Sequence, residues 1–221
     1  MNTLKPGTPT METYLKVKKA IATQTLKPGK VLTESYLCQA LELGRSPVRA
    51  ALQQLAQDGF IETPPNRSAR VAQFSHTQVR QLYSLRSMML SYALELTIDT
   101  YTEKDLDALT ECLERQEAAF KNYDFEQYLC AVYDFFYCII HKANNPYLDE
   151  MAESLLQRIN VFLCLYDNFY SAEKLKTLPL HRKMLGAIQQ KKLKTVLQLH
   201  QELNNRILNA YDYMILSNTE S

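Results

Sequence analysis

Glycine and proline divide this chain of 221 residues into two unlike parts. Gly7, Gly29, Gly44 and Gly59, four of the five glycines, lie in the first 59 residues. Six of the eight prolines (Pro6, Pro9, Pro28, Pro47, Pro64 and Pro65) sit in the same stretch or just past it. Glycine breaks regular structure by its backbone freedom, proline by its missing N–H. The head must therefore be built of short elements, while the remainder runs in long uninterrupted segments. The sequence predicts two domains, residues 1–73 and 74–221.

Charge divides at the same place. The whole chain carries a net charge of +1, but residues 1–73 hold ten Lys+Arg against five Asp+Glu, a net of +5. Residues 74–221 hold fifteen against nineteen, a net of −4. A basic head is the electrostatic footprint of a nucleic-acid-binding module. No apolar run approaches the roughly 20 residues that cross a bilayer, and Met1 to Thr10 lacks the charged-then-apolar shape of a secretory signal. The cysteines at 38, 112, 130, 138 and 164 form no CxxC pair. Their odd number fits reduced thiols in a cytoplasmic protein better than a disulfide framework or a zinc site.

In the head, Glu12 to Thr25 reads as a helix with Tyr14, Val17 and Ile21 on one side. Thr33 can cap a second short helix through Leu41. After a tight connection, Ser46 is placed to cap a third helix with Pro47 at its first position, where the missing N–H costs nothing. Val48, Leu52 and Leu55 then share one face, and Arg49, Ala50, Gln53 and Gln57 the other. Phe60-Ile61-Glu62 and Arg70-Val71-Ala72 flank a Pro/Asn loop and predict a β-hairpin. Three short helices and a hairpin make a winged helix-turn-helix.

The body reads as helix throughout: Ser75 to about Thr100, Thr102 to about Lys121 behind a capping box with Asp105, Asp124 to Lys142, Pro146 to about Tyr170, Leu180 to Gln189, and Leu193 to about Ile215. The last carries Leu193, Val196, Leu197, Leu203, Ile207 and Tyr211 on one stripe. Helices joined by short turns predict an antiparallel bundle. The fold class is thus mostly α, a winged helix-turn-helix with a small wing followed by a helical bundle.

A recognition helix needs donors near its N-terminus, the end that enters the major groove. Arg45 and Arg49 lie one turn apart with Ser46 between them, and arginine can bond guanine O6 and N7 with two parallel donors. Gln53 lies one turn further. Thr33 caps the helix before, and Asn66, Arg67 and Arg70 on the wing can reach phosphates or the minor groove. Any one of these alone is an ordinary surface residue. Together they fall where one function would place them.

At these residues the chain resembles the GntR family of bacterial winged-helix regulators. The resemblance rests on Pro28-Gly29-x-x-Leu32-Thr33-Glu34-x-x-Leu37, Leu41, and Arg45-Ser46-Pro47-Val48-Arg49-x-Ala51-Leu52-x-x-Leu55 followed by Gly59-Phe60-Ile61. It implies that Arg45 and Arg49 read DNA. A third family arginine falls on Ser35, and the family's wing glycine on Ser68, so one DNA contact and the wing tip depart from the family pattern. The body resembles the FadR-type (FCD) branch through Leu85-Arg86, Asn144-Asn145-Pro146-Tyr147-Leu148, His181-Arg182 and His200. That implies a homodimer whose bundle holds a small effector, often a carboxylate, and commonly a divalent metal.

The implied metal set is one Asp and three His. His181 and His200 match the last two positions, while Val132 and Phe136 stand at the others, so no cofactor is expected. A displaced stripe, Asp134, Tyr137 and His141, is rotated away on the same helix. His181 and His200 then read as polar residues on apolar faces, bonding each other, a water or an effector. Arg86 can receive an effector carboxylate in bidentate fashion or serve an ion pair. Tyr137 offers an apolar ring with a polar tip for a ligand pocket. Cys130 and Cys138 lie two turns apart on one helix and can sense oxidation or fill space.

The sequence shows no Ser-His-Asp arrangement, phosphate loop or paired-carboxylate motif, so an enzyme is not expected. It predicts a transcription regulator that binds double-stranded operator DNA as a homodimer under control of a small-molecule effector, without a membrane partner. The alternatives are a protein-interaction module whose winged helix no longer binds DNA, and a thiol-based redox-responsive regulator.

Overall fold

In a computed structural model, the structure describes residues 4–42, 44–65, 67–166 and 174–219. By their internal contacts they fall into two compact units, Met1–Phe74 with Val161–Leu165, and Ser75–Asn160 with Tyr166–Ser221.

The first unit opens with α1 (Pro9–Ala22), capped by Thr8, whose side chain accepts from the Met11 amide. The sequence placed this helix three residues later; Pro9 at its first turn is a start signal, since the first amides of a helix have no partner anyway. Leu26-Lys27-Pro28-Gly29 turns the chain, and Gly29 takes φ +78, the left-handed region. A Cβ there would meet the Gln73 side chain at 2.5 Å. That turn sets up β1 (Val31–Leu32), which leads to α2 (Glu34–Ala40) through Thr33, whose hydroxyl accepts from the Tyr36 amide as expected.

α3 (Arg45–Gln57) corrects one expectation. Its N-cap is Gly44, not Ser46, and no side chain caps it. The first helical bond runs from the Val48 amide to the Gly44 carbonyl, so Pro47 still falls among positions whose N–H is unused. The buried face also shifts: Val48, Ala51, Gln54 and Leu55 are buried, and Leu52 is only half-buried. Gln54 is tolerated inside because its amide donates to Asp58 Oδ1 at 2.9 Å, while the Tyr14 hydroxyl donates to Asp58 Oδ2 at 2.7 Å. Tyr14, Val17 and Ile21 of α1 join Leu37, Val48 and Leu55 in the core, each worth about 1.5–3 kcal/mol on burial.

The expected hairpin, β2 (Ile61–Glu62) and β3 (Ala69–Val71), is present but incomplete as an account. β1 adds to it, giving a three-stranded antiparallel sheet in the order β1-β3-β2. Two residues of strand were too short for any periodic signal.

In the second unit, α4 (His76–Thr97) begins on a capping box between Ser75 and Gln78, and α5 (Glu103–Lys121) on one between Thr102 and Asp105. α6 (Phe125–His141) follows Asp124 as N-cap. Asn145 Oδ1 accepts from the Tyr147 and Leu148 amides to start α7 (Pro146–Tyr166); the predicted end at Tyr170 lies outside the described residues. α8 (Lys174–Gln189) starts six residues before the predicted Leu180 and carries Pro179 inside it. A proline forfeits one backbone bond without ending the turn it stands in. α9 (Leu193–Thr219) closes the chain. α5 packs on α6 and α8 on α9 as helical hairpins, with α4 against α6 and α9 and α5 against α8. Among the described residues no helix is long and apolar enough to cross a membrane.

Candidate nucleic-acid interface and effector site

In the first unit, the exposed side of α3 presents Arg45, Ser46, Arg49 and Gln53, all solvent-exposed. Arg49 and Gln53 border a cleft of about 700 Å³ lined also by Thr33, Glu34, Leu52 and Ser68, among others. Leu52 thus belongs partly to this cleft. Arg49 is not idle: its Nε and Nη2 donate to Glu34 Oε1 and Oε2 at 2.7 and 3.0 Å, a bidentate pair. Those hydrogen bonds hold the Glu34 carboxyl below its usual range, with the Arg45 charge adding to the effect.

On the wing, Arg67 is exposed and its amide closes a turn on the Pro64 carbonyl at 3.2 Å. Arg70 sits on the central strand, where Nε donates across to Glu62 Oε2 at 3.0 Å. It is half-exposed and half-neutralised, a less open donor than the sequence suggests. Asn66 lies outside the described residues.

In the second unit, Arg86 of α4, Phe136 of α6, His181 of α8 and His200 of α9 converge at the bundle centre, each no more than 2 % exposed. The Arg86 guanidinium carbon lies 4.6 Å from the Tyr83 ring centroid and 4.3 Å from that of Phe136. Its Nη2 donates to Asn204 Oδ1 at 2.5 Å, while Nε has no partner. Of the two expectations for Arg86, the ion pair is not found: among the described residues no carboxylate pairs with it. Burial pushes the guanidinium down to about 10.

His181 Nδ1 lies 2.8 Å from Gln116 Oε1. The Gln116 amide nitrogen is turned to the Ala131 carbonyl at 3.3 Å, so Oε1 must accept and Nδ1 carries the proton. The His181 ring stacks on Phe135 at 5.1 Å and meets Phe136 edge-on at 5.4 Å. His200 approaches Phe136 at 5.7 Å, and its Nε2 has no partner. Burial, then the Arg86 and His181 charges, push the His200 imidazole well below its usual range. It stays neutral in the fold.

That has a consequence for stability. An imidazole depressed by folding contributes fully above its unfolded value of about 6.5, and the contribution is lost as pH falls below it, because the unfolded chain binds the proton first. Replacing His200 by Leu should flatten the decline in unfolding temperature between pH 6.5 and 5. Parallel melting curves of the two proteins check this.

Tyr137 is not part of this centre. It stacks on Tyr133 and His141 at 5.9 and 5.5 Å, and its hydroxyl donates to Glu153 at 3.3 Å. Its position one residue beyond Phe136 rotates it by about a quarter turn away from the core. The displaced stripe is likewise engaged elsewhere, Asp134 with Arg115 at 2.7 Å and His141 with Asp149 at 2.8 Å.

A divalent metal is the group the family resemblance implies here, and the residues do not fit it. Val132 and Phe136 supply no donor, two imidazoles are half a ligand set, and the Arg86 cation lies against the same phenyl ring. Among the described residues no three His, Cys, Asp or Glu side chains cluster for a metal. Sequence reasoning missed Asn204 and Gln116. Asn204 stands four residues after His200 on one face of α9, and Gln116 interrupts the apolar run of Leu109, Cys112 and Leu113 on α5. A polar residue on a buried stripe was the available signal in both.

Comparison with known proteins places these two units. The model of bacterial regulatory proteins of the gntR family matches residues 9–71, and that of the FCD domain matches residues 81–208. The HTH-type transcriptional regulator McbR of Escherichia coli (strain K12) is 28 % identical over 183 residues, covering 82 % of this chain and 83 % of that one. An uncharacterized HTH-type transcriptional regulator, YdhC of Bacillus subtilis (strain 168), is 26 % identical over 191 residues, with 85 % and 84 % covered. The solved structure of E. coli McbR/YncC shares the fold with a TM-score of 0.62 at 24 % identity, covering 97 % of this chain and 99 % of that one.

Proposed function

The chain belongs to the GntR family of bacterial regulatory proteins and carries its FCD domain, and from there we propose that Arg45, Ser46, Arg49 and Gln53 read its operator while Arg86 receives an anionic effector. GntR regulators of this type are transcription regulators with a DNA-binding head and an effector-binding C-terminal domain. The observation that carries the DNA contact is the exposed polar side of α3, where Arg45 and Ser46 are open to solvent and Arg49 and Gln53 line the cleft together with wing residues Thr63, Ser68 and Ala69. The uncapped start of α3 adds free amides for a phosphate. Arg67, with Asn66 and Arg70, serves the backbone from the wing, and Thr33 fixes the start of α2.

For the effector, a buried arginine with an unused Nε and, among the described residues, no carboxylate partner fits a carboxylate ligand better than a cation. Asn204, His181 and His200 supply polar neighbours, and Phe136, Phe135 and Val132 an apolar wall. Effector binding would favour one arrangement of the bundle and so change operator affinity. The protein acts in the cytoplasm, where its operator is.

Operator DNA of this family's kind asks for two heads one helical turn apart. The exposed Met88, Tyr92 and Leu96 repeat every four residues along α4 and support a homodimer through that helix. The double variant Met88→Glu, Leu96→Glu should elute as a monomer while the wild type elutes as a dimer; equal elution volumes would remove α4 from the interface.

Selection of bound DNA from a random pool, followed by titration against salt, tests the whole reading. A pseudo-palindromic site whose affinity falls steeply with salt is expected. Failure to enrich any sequence would favour a protein-interaction module instead.

A further inference from the structure

The helical hairpin α5–α6 is held in register by three bonds: Lys142 Nζ to Asp105 Oδ2 at 2.6 Å, Arg115 Nη2 to Asp134 Oδ2 at 2.7 Å, and Gln116 Nε2 to the Ala131 carbonyl at 3.3 Å. Cys112 on α5 and Cys138 on α6 fall between the first and second of these. Cys112 stands one turn before Gln116 on α5, and Cys138 one turn after Asp134 and one before Lys142 on α6, so the flanking bonds bring the two thiols to the same level of the hairpin. The Arg115 guanidinium that pairs with Asp134 also lies 3.5 Å from Cys112 Sγ. Cys112 is buried and Cys138 half-buried, and both are free thiols.

This is not the pair the sequence pointed to. Cys130 and Cys138 are eight residues apart on one helix, a rise of about 12 Å, beyond the Cα separation any disulfide spans. Cys130 is exposed. The partner of Cys138 comes instead from the neighbouring helix.

We propose that Cys112 and Cys138 are a reversible redox-modification site, Cys112 the thiol oxidised by a hydroperoxide and Cys138 the thiol that resolves it. The Arg115 guanidinium, 3.5 Å from Cys112 Sγ, favours a thiolate at Cys112, and the neighbouring Cys138 thiol and that guanidinium hold it below its usual range against the burial that opposes its charge. Cys138 is pushed the other way by the neighbouring Cys112 and stays protonated. A thiolate is the attacking form, so the two sulfurs have different roles.

The steps balance. The Cys112 thiolate attacks one peroxide oxygen; an S–O bond forms, the O–O bond breaks, and the alcohol leaves with a proton. Sulfur is oxidised to the sulfenic acid and the peroxide is reduced. The Cys138 sulfur then attacks the Cys112 sulfur; an S–S bond forms, the S–O bond breaks, and hydroxide leaves with the Cys138 proton as water. Two thiols and one hydroperoxide become a disulfide, an alcohol and water, and a dithiol reductant reverses the change.

The position gives the modification an output. Cys112 lies one turn before Gln116, the residue that holds His181, and Cys138 two residues after Phe136. A covalent tie between α5 and α6 there restricts the rearrangement that an effector at Arg86 requires. That output, and only that, rests on the regulator reading above.

The test treats the full-length protein with cumene hydroperoxide and maps disulfides by mass spectrometry of unreduced digests, then measures operator affinity of reduced and oxidised protein. A Cys112–Cys138 linked peptide that dithiothreitol removes is expected in the wild type and in Cys130→Ser. It should be absent from Cys138→Ser, in which a dimedone-trapped sulfenic acid appears on Cys112 instead. This variant changes the less buried residue, and Cys112→Ala serves beside it with a melting curve to confirm the fold. Oxidation confined to Cys130 or Cys38, or trapped on Cys138 rather than Cys112, overturns the assignment. A clean disulfide with equal operator affinity in both forms overturns the output. A reduced protein that enriches no DNA counts against the operator reading alone, since the mapping needs no DNA.

Discussion

Arg49→Ala lowers affinity for the selected operator by roughly 10- to 100-fold while leaving affinity for random duplex DNA nearly unchanged. Arg49 stands one turn into α3 with its side chain 69 % exposed, and its fork is already held flat by Glu34. A pre-ordered guanidinium loses little freedom when it trades the carboxylate for the O6 and N7 of a guanine. The trade also explains the choice of base over phosphate. Glu34 would repel a phosphate that approached from its own side, but it is replaced outright by a base edge. Glu34→Gln removes the competitor and should leave specific binding equal or tighter, whereas a structural role for the pair would make both variants weaker. Fluorescence anisotropy across a salt series separates the cases. A base-reading arginine changes the operator alone, and a phosphate contact weakens all sequences and reduces the salt slope by about one. Operator affinity unchanged in Arg49→Ala would take Arg49 out of the interface.

The sequence revealed helix starts better than long-range pairings for a physical reason. Capping, Pro and Gly act within three or four residues, so Thr33, Ser75, Thr102 and Asp124 each marked a real helix start. Ser46 misled because Gly44 also adopts the extended conformation of an N-cap, and two candidates two residues apart differ only in which turn packs. β1 escaped because its two residues owe their conformation to β3, where Val31 pairs with Arg70 and Leu32 with Ala69. The centre of the body depends on pairings of the same long-range kind. Arg86, His181 and His200 were found through a resemblance, but their partners Asn204 and Gln116 lie 118 and 65 residues from them. Tyr137 was named for the effector although its stripe with Asp134 and His141 already read as rotated away from Phe136, and it is engaged there by Tyr133, His141 and Glu153. The Cys112–Cys138 neighbourhood needed the register of two helices, which single-helix spacing does not contain.

Arg86→Met raises the melting temperature of the reduced, ligand-free protein and abolishes its stabilisation by carboxylates. A balance of free energies at one side chain decides the sign. Taking a guanidinium out of water costs several kcal/mol even after relaxation. Against this stand one hydrogen bond to Asn204, worth about 1.5–3 kcal/mol to a charged group, and two aromatic faces at about 0.5–2 kcal/mol each. These contacts recover only part of the cost, because Nε has no partner and, among the described residues, no carboxylate answers the charge. Replacing such a buried charge by an apolar side chain is worth about 1–4 kcal/mol. The lowering of the guanidinium to about 10 has the same cause, since water solvates the charge better than this site does. Methionine is unbranched and adaptable, fills most of the same volume against Tyr83 and Phe136, and carries no charge to desolvate. Its one liability is that Asn204 Oδ1 loses its donor, about 1–3 kcal/mol, although the Asn204 amide keeps its bond to Ser87 Oγ at 2.8 Å. A net gain of about 1 kcal/mol is expected, or roughly 2–4 °C for a protein of this size. A carboxylate found by thermal-shift screening of the wild type then supplies the second reading, because a ligand that binds only the folded state raises its stability. It should shift the wild type and leave Arg86→Met where it is. A variant that melts below the wild type and still responds to the carboxylate would make Arg86 a purely structural residue. The contrast between the two outcomes comes from one difference: a structural cation is already paid in contacts, while a receptor for an anion waits for its counterion.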